Sequence, residues 1–214
     1  MIKIAPSILS ADILHLEKEI LAIERAGADM IHVDIMDGHF VPNLTYGPKL
    51  VKAVRDISKL PLDVHLMIEN PQVFIDRFAA AGADNITIHS EVTVPIPQLH
   101  EIVKKFDISF GVSVKPDTPL DTIADYMELI DILLIMTVHP GFGGQDFIES
   151  TAPKIAEARK LKAKYSYEYE IEVDGGINAN TVKTVISAGA TLIVAGNYIF
   201  KSGDYKKAIE ALRG

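Results

Sequence analysis

One phrase occurs three times along this chain of 214 residues, and it constrains the fold more than any other feature. Its copies are Ala26-Gly-Ala-Asp-Met-Ile-His-Val-Asp34, Ala81-Gly-Ala-Asp-Asn-Ile-Thr-Ile-His89 and Ala188-Gly-Ala-Thr-Leu-Ile-Val-Ala195. Each copy is typical of a helix end, a glycine that stops the helix, and a buried parallel strand. The copies begin 55 (26 to 81) and 107 (81 to 188) positions apart, close to two and four units of about 27 residues, the size of one βα repeat. Eight such units fill the chain.

Strands and helices alternate along the whole sequence. Short apolar runs predict strands at residues 3–8, 30–36, 62–67, 85–89, 109–114, 130–138, 169–174 and 192–195. Amphipathic runs predict helices between them, among others at residues 12–25, 73–81, 152–164 and 180–188. This pattern, without a linker rich in Pro or Gly, predicts an α/β fold: one (β/α)8 TIM barrel domain over residues 1–214. A doubly wound open sheet is the alternative, but it would need fewer strands.

Composition argues against several classes of protein. With 48% apolar residues the chain can bury a large core, whereas its longest purely apolar stretch, residues 132–136, is too short to cross a bilayer. The N-terminal residues lack the charged and apolar regions of a signal peptide, and the absence of cysteine fits the cytoplasm. A net charge of −8 argues against nucleic acid or anionic membrane as a partner. A phosphorylated small molecule would have to be held by local groups.

Four residues suited to metal binding lie at the downstream ends of three predicted strands: His32, Asp34, His65 and Asp174. His32 and Asp34 are two positions apart and therefore share one strand face. In a barrel these strand ends meet at one rim. Buried His and Asp side chains also occur as hydrogen-bonded interior residues, but four at one rim without nearby Lys or Arg would be costly without a cation. The set predicts a site for one divalent metal ion (Zn, Fe, Mn or Co).

Three glycine-containing turns follow the last three predicted strands. They are Pro140-Gly-Phe-Gly-Gly-Gln145, Asp174-Gly-Gly-Ile-Asn178 and Ala195-Gly-Asn197. Glycine lets backbone N–H groups approach an anion closely, and the loops after strands seven and eight are the usual phosphate site of this barrel. A single glycine turn would say little, because tight βα turns use glycine anyway. Three on one side of the barrel predict a phosphate site.

Other strand-end residues allow two interpretations. The methionines Met36, Met67 and Met136 are either core filler or an apolar lid or floor that excludes water from reacting carbons. Ser7 either hydrogen-bonds a substrate or ends its strand for reasons of turn geometry. Glu172 shares the strand face of Asp174 and is either a support beneath the site or purely structural. His89 is more typical of a structural histidine than of a support.

Taken together, these segments resemble the ribulose-phosphate 3-epimerase family. The resemblance runs from end to end and rests on Ala5-Pro-Ser-Ile-Leu-Ser10, His32-Val-Asp-Ile-Met-Asp-Gly-His-Phe-Val-Pro-Asn43, Asp63-Val-His-Leu-Met67, Met136-Thr-Val-His-Pro-Gly-Phe-Gly-Gly-Gln145 and Glu172-Val-Asp-Gly-Gly-Ile-Asn178. It implies a ribulose-phosphate-binding barrel and an isomerase. The implied reaction interconverts D-ribulose 5-phosphate and D-xylulose 5-phosphate, in the pentose phosphate pathway. Dimers and larger rings occur in the family, so we expect a homo-oligomer.

The resemblance also implies roles for individual residues. His32, Asp34, His65 and Asp174 are expected to bind the metal, while Asp34 and Asp174 act as acid and base on opposite faces of a planar enediolate. With the residue patterns above, it gives an expected substrate-binding set: Ser7, Met36, His65, Met67, Met136, Gly141, Phe142, Gly143, Gly144, Asp174, Gly175, Gly176, Gly196 and Asn197.

Two positions depart from the family pattern, and some alternatives stay open. Asn197 stands where the family usually has Ser, and His139 stands where Asn is commoner. The same site chemistry would serve a 3-epimerase of a hexulose phosphate such as D-allulose 6-phosphate. A non-catalytic sugar-phosphate-binding barrel, or a structural module, is disfavoured because both Asp and both His residues are kept. The sequence names neither the metal nor the number of subunits.

Overall fold

Eight parallel strands form the centre of the protein. The computed structural model describes all 214 residues. Its strands are β1 (Lys3–Pro6), β2 (Ile31–Met36), β3 (Leu62–Met67), β4 (Asn85–His89), β5 (Ser109–Val114), β6 (Ile132–Met136), β7 (Glu170–Asp174) and β8 (Leu192–Ala195). Their order, β1-β8-β7-β6-β5-β4-β3-β2, places every strand beside its neighbour in sequence. The predicted (β/α)8 TIM barrel is confirmed, and the order excludes a doubly wound open sheet, in which the strand order reverses.

Helices cover the outside of the barrel. They are α1 (Leu16–Arg25), α2 (Pro48–Ile57), α3 (Ile75–Ala81), α4 (Ile96–Val103), α5 (Ala152–Tyr165), α6 (Thr181–Ala188), α7 (Asn197–Phe200) and α8 (Tyr205–Ala211), and a 3-10 helix, Leu120–Leu129, joins β5 to β6. Two helices begin later than predicted. Asp12 caps a 3-10 turn ahead of α1, and Pro71 begins another ahead of α3. None of these helices combines the length and apolar character that crossing a membrane requires.

Side-chain alternation along the strands separates two cores. One face of each strand packs under the helices in a large apolar core, to which Ile31, Val33 and Ile35 of β2 belong. The other face fills the barrel interior. On the side of β1, β6 and β8 this interior is apolar, with residues such as Ala5, Ile132 and Leu192. On the side of β2 to β5 it is polar, with these buried side chains: His32, Asp34, Asp63, His65, Asn85, Thr87, His89 and Ser113.

The sheet has its fewest paired residues where β1 meets β2, a boundary that we call the β1–β2 seam. A single parallel bridge joins Ser7 to His32 at the top of this seam. At the bottom, the Asp29 N–H donates to the Ile4 carbonyl at 2.9 Å, and the Ile4 N–H donates to Asp29 Oδ2 at 2.8 Å. Every other neighbouring pair of strands shares a continuous ladder of at least three residue pairs. The β1–β2 seam therefore depends on side chains more than any other part of the sheet does.

Arg213, just after α8, closes the bottom of this seam. Its guanidinium donates to the Ile2 carbonyl at 2.8 Å and to the Gly27 carbonyl at 2.6 Å. The same group lies 2.8 Å from Asp29 Oδ2. Because these acceptors lie in the segments that lead into β1 and β2, one side chain joins the lower ends of the two strands.

We predict that Arg213→Ala destabilises the barrel by about 1 to 2 kcal/mol, because it removes charge-assisted hydrogen bonds that join two strands. Arg213→Lys should recover only part of this loss, since an ammonium group cannot reproduce the planar fork. Urea denaturation measures the effect, with Lys206→Ala as the control because Lys206 forms an exposed pair with Glu210 at 4.0 Å. Equal unfolding midpoints for the Arg213→Ala and Lys206→Ala proteins would contradict the prediction.

Candidate active site

The four predicted metal-binding residues come together at the carboxyl end of the barrel. β2 and β3 pair in register so that Asp34 lies beside His65, and Asp174 ends β7. One ligand atom from each of His32, Asp34, His65 and Asp174 lies within 4.8 Å of the others. Both histidines are fully buried, Asp34 is almost so, and Asp174 is partly exposed. The alternation of side chains along three separate strands is therefore enough to assemble this cluster.

A carboxylate below the cluster orients His32. Asp63 pairs with His32 in the strand register, and its Oδ2 lies 2.6 Å from His32 Nδ1. Asn85 Nδ2 donates to the other Asp63 oxygen at 2.5 Å and holds the carboxylate in place. With Nδ1–H donated to Asp63, the opposite nitrogen Nε2 faces Asp34 Oδ1 at 3.3 Å. His32 thus presents Nε2 to the cluster.

His65 presents the other ring nitrogen. Its Nδ1 lies 3.3 Å from Asp34 Oδ1, and its Nε2 lies 3.0 Å from His89 Nε2. Asp34 is also held from β1, because the Ser7 hydroxyl donates to its Oδ2 at 2.6 Å. One carboxylate is therefore fixed between two imidazoles and a hydroxyl.

Burial and mutual charge shift the pKa values of these groups in different directions. Burial alone would lower the pKa of His32, but the charges of Asp34 and Asp63 raise it well above its ordinary value. Burial would raise the pKa of Asp34, but the His32 charge and the hydrogen bonds from both histidines lower it strongly. Burial together with the charge of Asp34 raises the pKa of Asp174 to about 7. The pKa values of the two aspartates are therefore widely separated.

Glu172 adds a further buried acid beneath Asp174. Burial, together with the charge of Asp63, raises its pKa well above the ordinary value. Neither of its carboxyl oxygens has a hydrogen-bond partner, and Oε1 lies 3.7 Å from His32 Nδ1. This part of the barrel therefore holds more acidic groups than the surrounding hydrogen bonds neutralise.

This arrangement fits a divalent metal ion. The ion-pair partners of Asp34 are the imidazoles of His32 and His65, so no permanently charged side chain neutralises it. Two imidazole nitrogens with carboxylate oxygens form a donor set that suits zinc, iron, manganese or cobalt. Glu172 lies beside this set with two buried carboxyl oxygens that no hydrogen bond satisfies. The His/Asp cluster can therefore hold a metal.

A cavity of about 550 Å³ opens directly above the cluster. His65 lies below its floor, fully buried. The other residues of the expected substrate-binding set all line the cavity: Ser7, Met36, Met67, Met136, Gly141, Phe142, Gly143, Gly144, Asp174, Gly175, Gly176, Gly196 and Asn197. Its wall is therefore apolar on the methionine side and rich in backbone on the glycine side.

Gly144 and Gly176, in this wall, adopt a backbone conformation that other residues rarely adopt. Gly144 has a φ of +76°, and a Cβ built there would lie 2.1 Å from Asn197 Nδ2. Gly176 has a φ of +67°, and its Cβ would lie 2.3 Å from the Phe147 backbone nitrogen. The left-handed backbone favours glycine at both positions, and at Gly176 the close approach of neighbouring backbone requires it. The turns therefore pack against one another and leave backbone rather than side chains on the cavity surface.

His139, one of the two departures from the family pattern, does not reach the cavity. Its exposed ring lies 3.9 Å from Asp117 Oδ2, and only its backbone carbonyl contributes to the loop, accepting from Gln145 Nε2 at 2.7 Å. Asn197, the other departure, lines the cavity wall next to Gly144. The second departure alone bears on what the site can bind.

The structure adds residues that the sequence analysis did not single out. Ser10, Asn178 and Thr181 line the cavity beside the glycine turns. Asp63 supports His32, and its position two residues before His65 on one strand was the available signal. His89, for which a purely structural role was favoured, contacts His65 directly.

Comparison with known sequences gives a consistent result. The chain matches the ribulose-phosphate 3 epimerase family over residues 3–200. The ribulose-phosphate 3-epimerase of Bacillus subtilis is 49% identical, over 100% of this chain and 99% of its own length. The protein of the same name from Synechocystis sp. is 46% identical, over 99% of this chain and 93% of its own length. The chloroplastic ribulose-5-phosphate-3-epimerase of Arabidopsis thaliana is 44% identical, over 98% and 75% respectively.

Solved structures share the barrel at much lower identity. The tryptophan synthase A-subunit of Pyrococcus furiosus aligns with a TM-score of 0.72 and 16% identity, covering 100% of this chain and 97% of that one. Thiamine phosphate pyrophosphorylase from Pyrococcus furiosus aligns with a TM-score of 0.64 and 20% identity, covering 99% and 94%. At these identities the likeness shows the fold alone.

We predict that the metal-free protein loses stability as the pH rises from about 5 to about 8. A carboxyl group whose folded-state pKa is raised, such as Asp174, destabilises the fold increasingly between its unfolded pKa, near 3.8, and its folded pKa, about 7. Glu172 acts in the same direction, and the raised pKa of His32 adds stability that is lost above about 6.5. The lowered pKa of Asp34 adds a constant amount of stability across this range. The lowered pKa values of His65 and His89 oppose the loss up to about pH 6.5, where their unfolded forms stop titrating, but they do not offset the three groups above.

Urea midpoints of chelator-treated protein at about pH 5.5 and pH 8 measure this effect. Asp174→Asn should weaken the pH dependence, because an amide does not titrate. A midpoint that stays constant or rises between the two pH values would show that these buried groups do not control stability.

Proposed function

The chain belongs to the ribulose-phosphate 3-epimerase family, and from that premise we propose which of its residues carry out the reaction. The enzyme is an isomerase that interconverts D-ribulose 5-phosphate and D-xylulose 5-phosphate. The full-length relatives are named for the pentulose phosphate, which decides against a hexulose phosphate and against a non-catalytic barrel. One observation carries the assignment of residues: two aspartates from different strands meet two histidines at the floor of the cavity.

His32, Asp34, His65 and Asp174 are the proposed ligands of one divalent ion. His32 would contribute Nε2 and His65 would contribute Nδ1, the nitrogens that face Asp34. A bound ion supplies positive charge that stabilises the negative charge developing on the substrate oxygens. Zinc, iron, manganese and cobalt all match this donor set.

Asp34 and Asp174 are the proposed acid/base pair. In one direction the Asp34 carboxylate accepts the proton from C3. The electron pair of the C–H bond forms the C2–C3 double bond of an enediolate, while the π pair of the C2 carbonyl moves onto its oxygen. Asp174 then donates its proton to C3 from the opposite face, which inverts the configuration, and the roles exchange in the reverse direction. The strand order supports this geometry, since β1 and β8 separate β2 from β7 around the barrel.

The other cavity residues are proposed to hold and shield the substrate. Backbone N–H groups of the glycine turns would bind the phosphate, because Gly144 and Gly176 leave no side chain in the way. Met36, Met67 and Met136 would exclude water from the reacting carbons. Ser7 would keep Asp34 oriented through its 2.6 Å hydrogen bond.

Two further attributes complete the proposal. A homo-oligomer is supported by apolar side chains outside the cavity that a second copy would cover, among them Leu14 and Leu44, which are 86% and 73% exposed. A cytoplasmic location is supported by the absence of cysteine. Sedimentation at several protein concentrations tests the first attribute.

We predict that each single aspartate variant exchanges the C3 hydrogen of one epimer without completing the conversion. In Asp174→Asn, Asp34 can still remove and return a proton on its own face, so one pentulose phosphate should slowly take up deuterium from heavy water. Asp34→Asn should do the same with the other epimer. NMR of C3 follows both deuterium uptake and epimer conversion, beginning with the unaltered protein and ribulose 5-phosphate.

Metal content must be measured in the same samples, because both aspartates are proposed ligands. A metal-loaded single variant that interconverts the epimers at nearly the parent rate would rule out the two-base assignment. Failure of the unaltered protein to convert ribulose 5-phosphate would rule out the proposed site altogether.

We also predict that ribulose without its phosphate is a poor substrate, with a kcat/KM lower by a factor of at least about a hundred. The reason is that the glycine turns position the reacting carbon through the remote phosphate. Asn197→Ser should change kcat/KM for the phosphorylated substrate by less than about tenfold, because the backbone N–H stays in place. Similar kcat/KM values for ribulose and ribulose 5-phosphate would refute a phosphate site at these turns.

A further inference from the structure

We infer that His89 and Glu91 form a hydrogen-bonded relay that keeps Nδ1 of His65 free of a proton and available to the metal. They are positioning residues, since they act on the substrate only through His65. The inference rests on the metal site of the proposed function and extends it to two residues that bind neither metal nor substrate.

The relay begins at the ring nitrogen of His65 that faces away from the cluster. His65 Nε2 lies 3.0 Å from Nε2 of His89, and the two ring centres are 5.0 Å apart. Both side chains are fully buried. The Phe40 ring packs on His89 with 4.7 Å between centroids. Because two nitrogens cannot both donate in one hydrogen bond, one of these rings must be the donor and the other the acceptor.

Glu91 ends the relay. Its Oε2 lies 3.0 Å from His89 Nδ1. Its other oxygen, Oε1, accepts from the Lys115 backbone N–H at 2.8 Å and from the Thr118 hydroxyl. These two donors hold the carboxylate in one orientation. An ionised carboxylate can only accept, so it favours the form of His89 in which Nδ1 carries the proton.

The direction of the whole chain follows from that end. With its proton on Nδ1, neutral His89 offers a bare Nε2, which accepts from His65 Nε2–H. His65 then has no proton on Nδ1, the nitrogen that faces Asp34. Asp34 by itself would favour the opposite form, because its carboxylate attracts an N–H donor. Asp34 and Glu91 therefore favour opposite positions for the His65 proton. Where Glu91 prevails, the proton lies on Nε2 of His65 and leaves Nδ1 free to bind the ion.

The strand register explains why His65 needs a relay while His32 does not. His32 pairs with Asp63 on the neighbouring strand, so a carboxylate reaches it directly. His65 pairs with Thr87 on β4, which offers no carboxylate. The second imidazole, two residues further along β4, spans the distance to a carboxylate that lies beyond the end of the strand.

The isosteric variant Glu91→Gln tests the relay. The carbonyl of the introduced amide would remain on the Lys115 N–H and the Thr118 hydroxyl, and its NH2 group would face His89 Nδ1. A donor at that place reverses both hydrogen bonds and moves a proton to His65 Nδ1. We expect zinc affinity, measured by competition with a chromophoric chelator, to fall about 10- to 100-fold. Glu91→Asp, which keeps an acceptor, should bind zinc more tightly than Glu91→Gln.

Ser113→Ala is the matched control. Ser113 pairs with His89 in the strand register, is fully buried, and has a hydroxyl without a hydrogen-bond partner. Its removal perturbs the same layer of the barrel without touching the relay, so zinc affinity should stay within about twofold of the parent. A loss equal to that of Glu91→Gln would show a general packing effect and overturn the inference.

Nitrogen-15 NMR of the imidazoles in the zinc-loaded parent gives a readout independent of activity. We expect the proton of His89 on Nδ1, with Nε2 bare. The reverse assignment, or equal zinc affinity of the parent and Glu91→Gln proteins, would overturn the relay while leaving the metal site standing. A parent protein that binds no zinc, iron, manganese or cobalt would instead refute the metal site of the proposed function, and the inference with it.

Discussion

Buried negative charge in the barrel interior is the constraint on which the rest of this structure depends. Asp34, Asp63 and Glu172 are fully or almost fully withdrawn from water, and Asp174 stands at their edge. Each charge must be met by a proton, a hydrogen-bond donor or a cation. The orientation of both histidines, the division of the interior into a polar and an apolar half, and the capacity to hold an ion all follow from that requirement.

The fold and the centre of the candidate site were accessible from sequence because both depend on periodicity. A βα unit of constant length predicts the number of strands, and alternation along β2 places His32 and Asp34 on one face. The starts of α1 and α3 were predicted too early, since 3-10 turns precede both helices and do not disturb the amphipathic pattern. Glu91 was not identifiable from sequence, because it lies outside any strand and its role depends on the contact between His89 and His65, which only the folded barrel brings together.

The two histidines illustrate how a regular scaffold accommodates irregular chemistry. In a parallel sheet each inward-facing residue has one partner on the next strand. The identity of that partner determines whether it can accept a hydrogen bond from a histidine. His32 has Asp63 there, whereas His65 has Thr87. A loop residue then supplies what the register does not, and this agrees with the general placement of functional variation in loops at this end of the barrel.

The thin seam between β1 and β2 has a mechanical consequence. At the lower edge of the seam, Arg213 donates hydrogen bonds to the segments that lead into both strands. At the upper edge, Asp34 stands on one side of the seam and Asp174 on the other, with β1 and β8 between them. An ion bound by both carboxylates would link β2 to β7 across β1 and β8, and would so keep the barrel closed at its upper edge. The same coordination bonds would then support catalysis and stabilise the barrel against separation of β1 from β2.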